Sequence, residues 1–146
     1  MIVIASDHAG VDLKARLVRF LEAVGRRCRD LGPQDESSVD YPDFAHRLAQ
    51  VVAIGETEKG ILICGTGIGM SMTANRHSGV RAALCHDAFT AEMARRHNDA
   101  NVLCMGARVL GVDMAEQITQ VFLDTEFEGG RHQRRVEKIE IRREES

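Results

Sequence analysis

The pattern of apolar and polar positions along the chain predicts strands and helices that follow one another in turn. Segments that suit buried strands of a parallel sheet lie at about 1–6, 26–31, 60–63, 80–85 and 102–105. Helices are predicted, most of them from apolar residues at helical spacing, at about 11–24, 41–54, 70–74, 88–96 and 112–124. We therefore expect one α/β domain over residues 1–146, with three α/β/α layers and a Rossmann-like, five-stranded, mainly parallel sheet.

A loop with three glycines follows the central predicted strand, within the stretch GILICGTGIG at 60–69. Gly65, Gly67 and Gly69 would leave main-chain N–H groups open to a ligand, and a helix N-terminus after them would favour a phosphate or a developing oxyanion. A plain tight turn fits the same residues. The spacing G-x-G-x-G matches neither the dinucleotide motif nor the P-loop, so neither nucleotide-binding motif is present.

Candidate reactive side chains stand at the ends of predicted elements. Cys64 directly precedes the glycine loop, where the positive field of a helix N-terminus would lower the pKa of a thiol. The alternative is that Cys64 is simply a small residue of the core. Asp7 and His8 follow the first strand, at the sheet edge where α/β proteins bind ligands. The alternatives are that Asp7 only complements the dipole of the following helix and that His8 is an exposed loop residue. His97 and Asn98 follow the helix predicted at 88–96, and an ordinary helix C-terminus explains both residues equally well.

A basic segment near the C-terminus predicts a further helix over about 131–141. Helical geometry places Arg131 and Arg135 one turn apart, beside an apolar stripe of Val136 and Ile139. The stripe could dock while both guanidinium groups face one phosphate. A solvated basic helix is the alternative.

The composition limits the classes of partner that the chain is expected to bind. The chain has a formal net charge of -3, no Trp and one Tyr, which disfavours nucleic-acid binding. No apolar stretch approaches the ~20 residues of a membrane span, and the N-terminus lacks the pattern of a signal peptide. Four cysteines without a C-x-x-C pair fit reduced thiols better than disulfides or a zinc site. We expect a cytoplasmic protein without a metal, a nucleic-acid partner or a membrane partner.

Short distinctive blocks occur along nearly the whole chain. They are ASDHAG at 5–10, DYPD at 40–43, GILICGTGIG at 60–69, AN at 74–75, GVRA at 79–82, HNDANV at 97–102, GAR at 106–108 and GGRHQRRV at 129–136. In this order the blocks resemble the type B ribose-5-phosphate isomerases, in the ribose/galactose isomerase family. The resemblance implies an aldose–ketose isomerase that interconverts D-ribose 5-phosphate and D-ribulose 5-phosphate through an enediolate, with no metal or organic cofactor.

Two alternatives stay open beside that activity. One is an isomerase of another sugar phosphate on the same site, such as allose 6-phosphate, galactose 6-phosphate or a tetrose phosphate. The other is a non-catalytic module that binds an anion or a nucleotide.

The resemblance also implies roles for individual residues. Cys64 matches the base that moves the carbon-bound proton, and His97 matches the acid that protonates the ring oxygen. Asp7 would assist ring opening, and Thr66 would hydrogen-bond the thiol or shuttle a proton between substrate oxygens. One family branch instead carries a glutamate base at the position of Met70, which cannot titrate, and this favours Cys64.

The remaining implied contacts bind the substrate. The expected sugar and enediolate contacts are Asp7, His8, Gly65, Thr66, Gly67, Ile68, Gly69 and Asn98. The expected phosphate contacts are Arg108, Arg131 and Arg135, because a guanidinium fork suits phosphate oxygens. The family also implies a homodimer or a tetramer whose active sites draw residues from both subunits. The 131–141 helix would contribute to the dimer and to the phosphate site.

Overall fold

Five strands form one parallel sheet in the structure, a computed structural model that describes residues 1–141. The strands are β1 (Ile2–Ser6), β2 (Cys28–Asp30), β3 (Lys59–Cys64), β4 (Ala82–Leu84) and β5 (Val102–Gly106). Their order across the sheet is β2-β1-β3-β5-β4, and every neighbouring pair is parallel. The predicted parallel α/β architecture is confirmed.

Residues 1–141 form six α-helices, of which five cover the two faces of the sheet. They are α1 (Val11–Ala23), α2 (Tyr41–Ala53), α3 (Ile68–Ala74), α4 (Ala88–Asn98), α5 (Val112–Asp124) and α6 (Arg131–Glu137). Helices α1, α4 and α5 pack on one face, and α2 and α3 pack on the other. Each of these helices within the described residues is too short or too polar to cross a membrane.

Both faces of the central strands are apolar because each face meets a helical layer. In β3, Ile61 and Ile63 contribute to the layer of α1, α4 and α5, whereas Leu62 and Cys64 contribute to the layer of α2 and α3. All four side chains are at most 5% exposed. This double burial explains the unbroken apolar run from which the strand was predicted.

The predicted boundaries differ from the structure by two residues or more at five elements. Strand β2 covers only Cys28–Asp30, not 26–31, and helix α4 runs on to Asn98, two residues past its predicted end. The edge strand β4, which pairs on one side alone, covers only Ala82–Leu84, not 80–85. Helix α3 begins at Ile68, two residues earlier than predicted. Helix α6 ends at Glu137 and not at 141, and farther on the Glu140 carboxylate accepts hydrogen bonds from the Gly79 N–H and the Ser78 hydroxyl.

The glycine loop is pressed against the neighbouring strands. Gly67 precedes α3 with a φ of 81°, and a Cβ there would lie 2.6 Å from Leu84 Cδ1 and 2.9 Å from the Met105 carbonyl carbon. A Cβ at Gly69 would lie 2.5 Å from two ring carbons of Tyr41. Glycine is thus required at Gly67 by backbone conformation and by space, and Gly69 lets an aromatic ring cover the loop.

We expect Gly67→Ala to destabilise the protein more than Gly79→Ala. Both glycines have a positive φ, but a Cβ at Gly79 would meet nothing within 4 Å. Left-handed backbone alone costs about 1–2 kcal/mol, and overpacking at Gly67 adds about 1–3 kcal/mol. Urea titration of both variants measures the free energies of unfolding, and equal losses would contradict the tight packing of the loop.

Candidate active site

One group of predicted site residues lies where β1, β3 and β5 end. We call it the carboxyl-edge group, and its members are Asp7, His8, Cys64, Gly65, Thr66, Gly67, Ile68, Gly69 and Arg108. The three strands are neighbours in register, with Ser6 beside Ile63 and Cys64 beside Gly106. The Arg108 N–H donates to the Gly65 carbonyl at 3.0 Å, which holds the segment after β5 against the glycine loop. The fold therefore brings these residues together.

Cys64 is 5% exposed, and its sulfur is held by the loop that follows it. The Gly67 N–H donates to Cys64 Sγ at 3.1 Å. This N–H faces the atom that would carry negative charge in a thiolate. The sulfur is therefore not enclosed by hydrocarbon alone. Cys64 is nevertheless buried, as the alternative of a core position also predicts.

The other thiols are poor candidates for a base. Burial is the main cause that raises the pKa of Cys28 and of Cys85 to about 11, and burial also raises the pKa of Cys104. These three groups stay protonated near neutral pH.

Two of the five loop N–H groups expected to meet an enediolate already have partners. The Gly67 N–H bonds to Cys64 Sγ, and the Ile68 N–H donates to Thr66 Oγ1 at 3.3 Å. The Thr66 hydroxyl, which is exposed, therefore bonds to the loop in this structure. Its predicted use as a proton shuttle stays a prediction, as does the oxyanion contact, for which the N–H groups of Gly65, Thr66 and Gly69 remain as candidates.

Asp7 and His8 are held in fixed orientations. Asp7, 7% exposed, accepts hydrogen bonds at Oδ1 from the Ala9 N–H at 3.0 Å and the Gly10 N–H at 3.2 Å. This is the helix-terminal role that the sequence left open, and both bonds use the same carboxylate oxygen. His8 Nδ1 accepts from the Val39 N–H at 3.2 Å, so the neutral ring carries its proton on Nε2 and can donate there.

Sequence reasoning did not find the roles of two residues in this region. The Val39 backbone acts on His8 across 31 positions of sequence, and a main-chain contact of this kind leaves no residue-type signal. The ring of Tyr41 lies against Gly69 while remaining 41% exposed. Its position in the DYPD block was the available signal.

A second group of predicted residues lies at the opposite edge of the sheet. We call His97, Asn98, Arg131 and Arg135 the amino-edge group. Helix α4 begins after the end of β4 and runs back to Asn98, just before β5 begins at Val102. Cys64 pairs with Gly106 at the carboxyl end of β5, whereas His97 lies near the amino end of that strand. The length of β5 therefore separates Cys64 from His97 by about 13 Å or more. One chain does not bring the predicted base and acid together.

Helix α6 packs beside the end of α4. The His97 and His132 rings stack with centroids 4.3 Å apart and planes 14° apart. The Glu128 N–H donates to the Arg96 carbonyl at 3.1 Å, which holds the start of this segment against α4. Arg131 and Arg135 are both exposed on α6, so they stand free to meet a ligand or solvent.

His97, Glu128 and His132 could be considered as metal ligands, because their donor atoms lie within 4.8 Å of one another. The lone pairs of the two rings, however, lie in two nearly parallel planes and so do not converge on one point, as the ligands of one ion must. Burial, followed by His97 and the Arg131 charge, lowers the pKa of His132. A positively charged neighbourhood of this kind suits an anion better than a metal cation.

Asn98 faces a concave surface. It lines a cavity of about 310 Å³ together with Asn75, Arg81, Ile139 and backbone near the start of β4. The amino-edge group is therefore accessible from outside the chain.

Comparison with known proteins agrees with this fold. Residues 2–139 match the Ribose/Galactose Isomerase family. Ribose-5-phosphate isomerase B of Escherichia coli (strain K12) is 44% identical over 138 residues, covering 94% of this chain and 93% of that protein. D-erythrulose-4-phosphate isomerase of Pectobacterium atrosepticum is 44% identical over 140 residues, covering 94% and 91%.

A solved structure shares the fold closely. Ribose-5-phosphate isomerase B of Clostridium thermocellum superposes with a TM-score of 0.93 at 48% identity, covering 94% of this chain and 93% of that one. The chain therefore belongs to the ribose/galactose isomerase family, and it is a sugar-phosphate isomerase.

Proposed function

We propose that the protein interconverts D-ribose 5-phosphate and D-ribulose 5-phosphate through an enediolate, without a metal or an organic cofactor. The observation that carries the proposal is the thiol of Cys64, held by the Gly67 N–H at the carboxyl edge and joined there by Arg108. The Escherichia coli relative, named ribose-5-phosphate isomerase B, supports the choice of a pentose phosphate.

The first chemical step opens the sugar ring. His97 donates a proton to the ring oxygen while Asp7 accepts one from the anomeric hydroxyl, and the ring C–O bond breaks to give an aldehyde. His8 donates from Nε2 to a sugar oxygen. Arg108, Arg131 and Arg135 hold the phosphate at the other end of the substrate.

The second step moves a proton between neighbouring carbons. The Cys64 thiolate removes the proton from C2, and the electron pair passes to the aldehyde oxygen to form the enediolate. The N–H groups of Gly65, Thr66 and Gly69 donate to that oxygen, and donors of this kind contribute about 3–4 kcal/mol elsewhere. Cys64 returns the proton to C1, and a proton moves between the two oxygens with the help of Thr66.

This mechanism requires two copies of the chain, because the base and the acid lie at opposite edges of one sheet. A homodimer with two-fold symmetry would place the amino-edge group of each subunit over the carboxyl-edge group of its partner and so form two sites. Exposed apolar side chains surround the carboxyl edge as a surface for such a partner. They are Ile68, Met72, Leu84, Phe89, Val109 and Met114, each at least 37% exposed.

The proposal also includes a reducing compartment. Cys64 acts as a base only while its thiol is reduced, and all four cysteines are free in this fold. A cytoplasmic location meets that requirement.

A tetrose phosphate is the second candidate substrate, since the Pectobacterium atrosepticum relative is named D-erythrulose-4-phosphate isomerase. Hexose 6-phosphates remain a third. Family membership sets aside the earlier alternative of a non-catalytic binding module.

We expect D-ribose 5-phosphate to be the preferred substrate among aldose phosphates. Assays of purified protein with D-erythrose 4-phosphate, D-ribose 5-phosphate, D-allose 6-phosphate and D-galactose 6-phosphate compare kcat/KM directly. One carbon unit more or less should cost about tenfold or more, because the distance between the thiol and the phosphate group changes. A higher kcat/KM for the tetrose or a hexose would replace the pentose assignment.

We expect Cys64→Ala to abolish turnover while leaving ligand affinity largely intact. Loss of a general base lowers the rate by about 10²–10⁴-fold, whereas the arginines that hold the phosphate remain. Proton exchange at substrate C2 in D₂O measures the chemistry, and calorimetric titration with D-ribose 5-phosphate measures binding. Cys28→Ala, which removes a thiol remote from the loop, should keep wild-type exchange, and retained exchange in Cys64→Ala would reject its role.

We expect two inactive variants to restore activity when they form mixed dimers. Cys64→Ala and His97→Asn each damage both sites of a homodimer, but a mixed dimer contains one intact site. Random pairing after co-expression should give about one quarter of wild-type activity. Mixtures as inactive as either parent would show that one chain supplies both residues.

A further inference from the structure

We infer that His132 is a positioning residue for His97, and that its ring fixes the direction in which the acid presents its proton. The inference rests on the proposed function in one respect, the role of His97 in opening the sugar ring. The observation that carries it is the face-to-face contact of the two imidazole rings, 4.3 Å apart at an angle of 14°.

His97 needs such support because of its place in the fold. It stands in the last turn of α4, half-buried, and the chain leaves helical geometry at Asp99 with a φ of 46°. A side chain there has one helix turn on one side and a loop on the other. The flat ring of His132 supplies a surface that restricts rotation of the His97 ring about its own χ2.

His132 is itself held firmly. It is 6% exposed, its N–H donates to the Gly129 carbonyl at 3.1 Å, and its Nε2 lies 3.6 Å from Glu128 Oε2. Glu128 is tied to α4 by its backbone bond to the Arg96 carbonyl and by an ion pair with the Arg96 guanidinium at 3.6 Å. The contacts therefore run from Arg96 through Glu128 and His132 back to His97.

The stack also constrains charge. Two imidazolium rings at this separation would repel each other, so the stack disfavours a charge on both rings at once. Burial, the His97 ring and the Arg131 charge hold the pKa of His132 below its usual value, whereas Glu128 opposes them. His132 is thus kept in its neutral form, and the stack holds a neutral, flat ring against the proposed acid.

The same helix joins this support to phosphate binding. Arg131 immediately precedes His132, and Arg135 follows one turn later on the exposed side of α6. Phosphate contact by these arginines would fix α6 and, through His132, the ring of the acid. The position of the acid is then coupled to the presence of the substrate's phosphate.

Two assays separate positioning of the acid from general structural support. Turnover of D-ribose 5-phosphate needs a ring to be opened. D-ribulose 5-phosphate is acyclic, because the hydroxyl that would close a five-membered ring on its ketone carries the phosphate. Exchange of its C1 proton with D₂O therefore needs Cys64 but not the ring-opening acid.

We expect His132→Ala to lower kcat/KM for D-ribose 5-phosphate by about tenfold or more, because misplacing a reacting group is costly, while C1 exchange stays within about threefold of wild type. His132→Phe keeps a flat ring against His97 and should stay within about threefold of wild type in both assays. The control is Gln133→Ala, which changes an exposed neighbour on α6 bonded to Glu137.

The inference is overturned if His132→Ala lowers both rates equally or neither of them, or if His132→Phe loses ring-substrate turnover by tenfold. The His132→Phe outcome decides the matter even where the alanine variant does not fold. His97→Asn in the same assays isolates the proposed function: without a selective loss there, the role of His97 fails. A selective loss in His97→Asn with none in His132→Ala rejects only the positioning role.

Discussion

The hydrogen bond from the Gly67 N–H to the sulfur of Cys64 is the contact on which the site depends. It forms because Gly67 takes a left-handed conformation and because the loop packs without a side chain against Leu84 and Met105. The donor, the thiol and the space beside them are therefore products of one turn. Any change that loosens this turn affects the proposed base and the proposed oxyanion donors together.

The fold was largely predictable from the sequence, because the pattern of apolar and polar residues in each element reflects which of its faces are buried. Strand β3 shows no polar alternation since both of its faces are covered, and helices such as α2 and α5 carry regular apolar stripes. The errors fall at ends, as in α6, where a side chain of the following segment bonds to a distant loop. Such ends depend on tertiary contacts that no local pattern reports.

The site was predictable in its residue types but not in its arrangement. Neighbouring strands carry Asp7, Cys64 and Arg108 at or just after their carboxyl ends, so the topology alone brings these residues together. His97 belongs to the other end of the sheet, which becomes visible only once the direction of α4 is known. The stacking of His97 on His132 joins two segments that the sequence separates, and neither histidine signals the other.

The alternation of side chains along β3 between two helical layers has a consequence for the chemistry as well as for folding. Leu62 and Cys64 point to one layer, and Ile61 and Ile63 point to the other. A shift of this strand by one residue would turn the sulfur to the opposite side of the sheet, away from the Gly67 amide. Hydrophobic residues of the core thereby decide which way the proposed base faces, and core substitutions that disturb strand pairing would act on the proposed reaction from a distance.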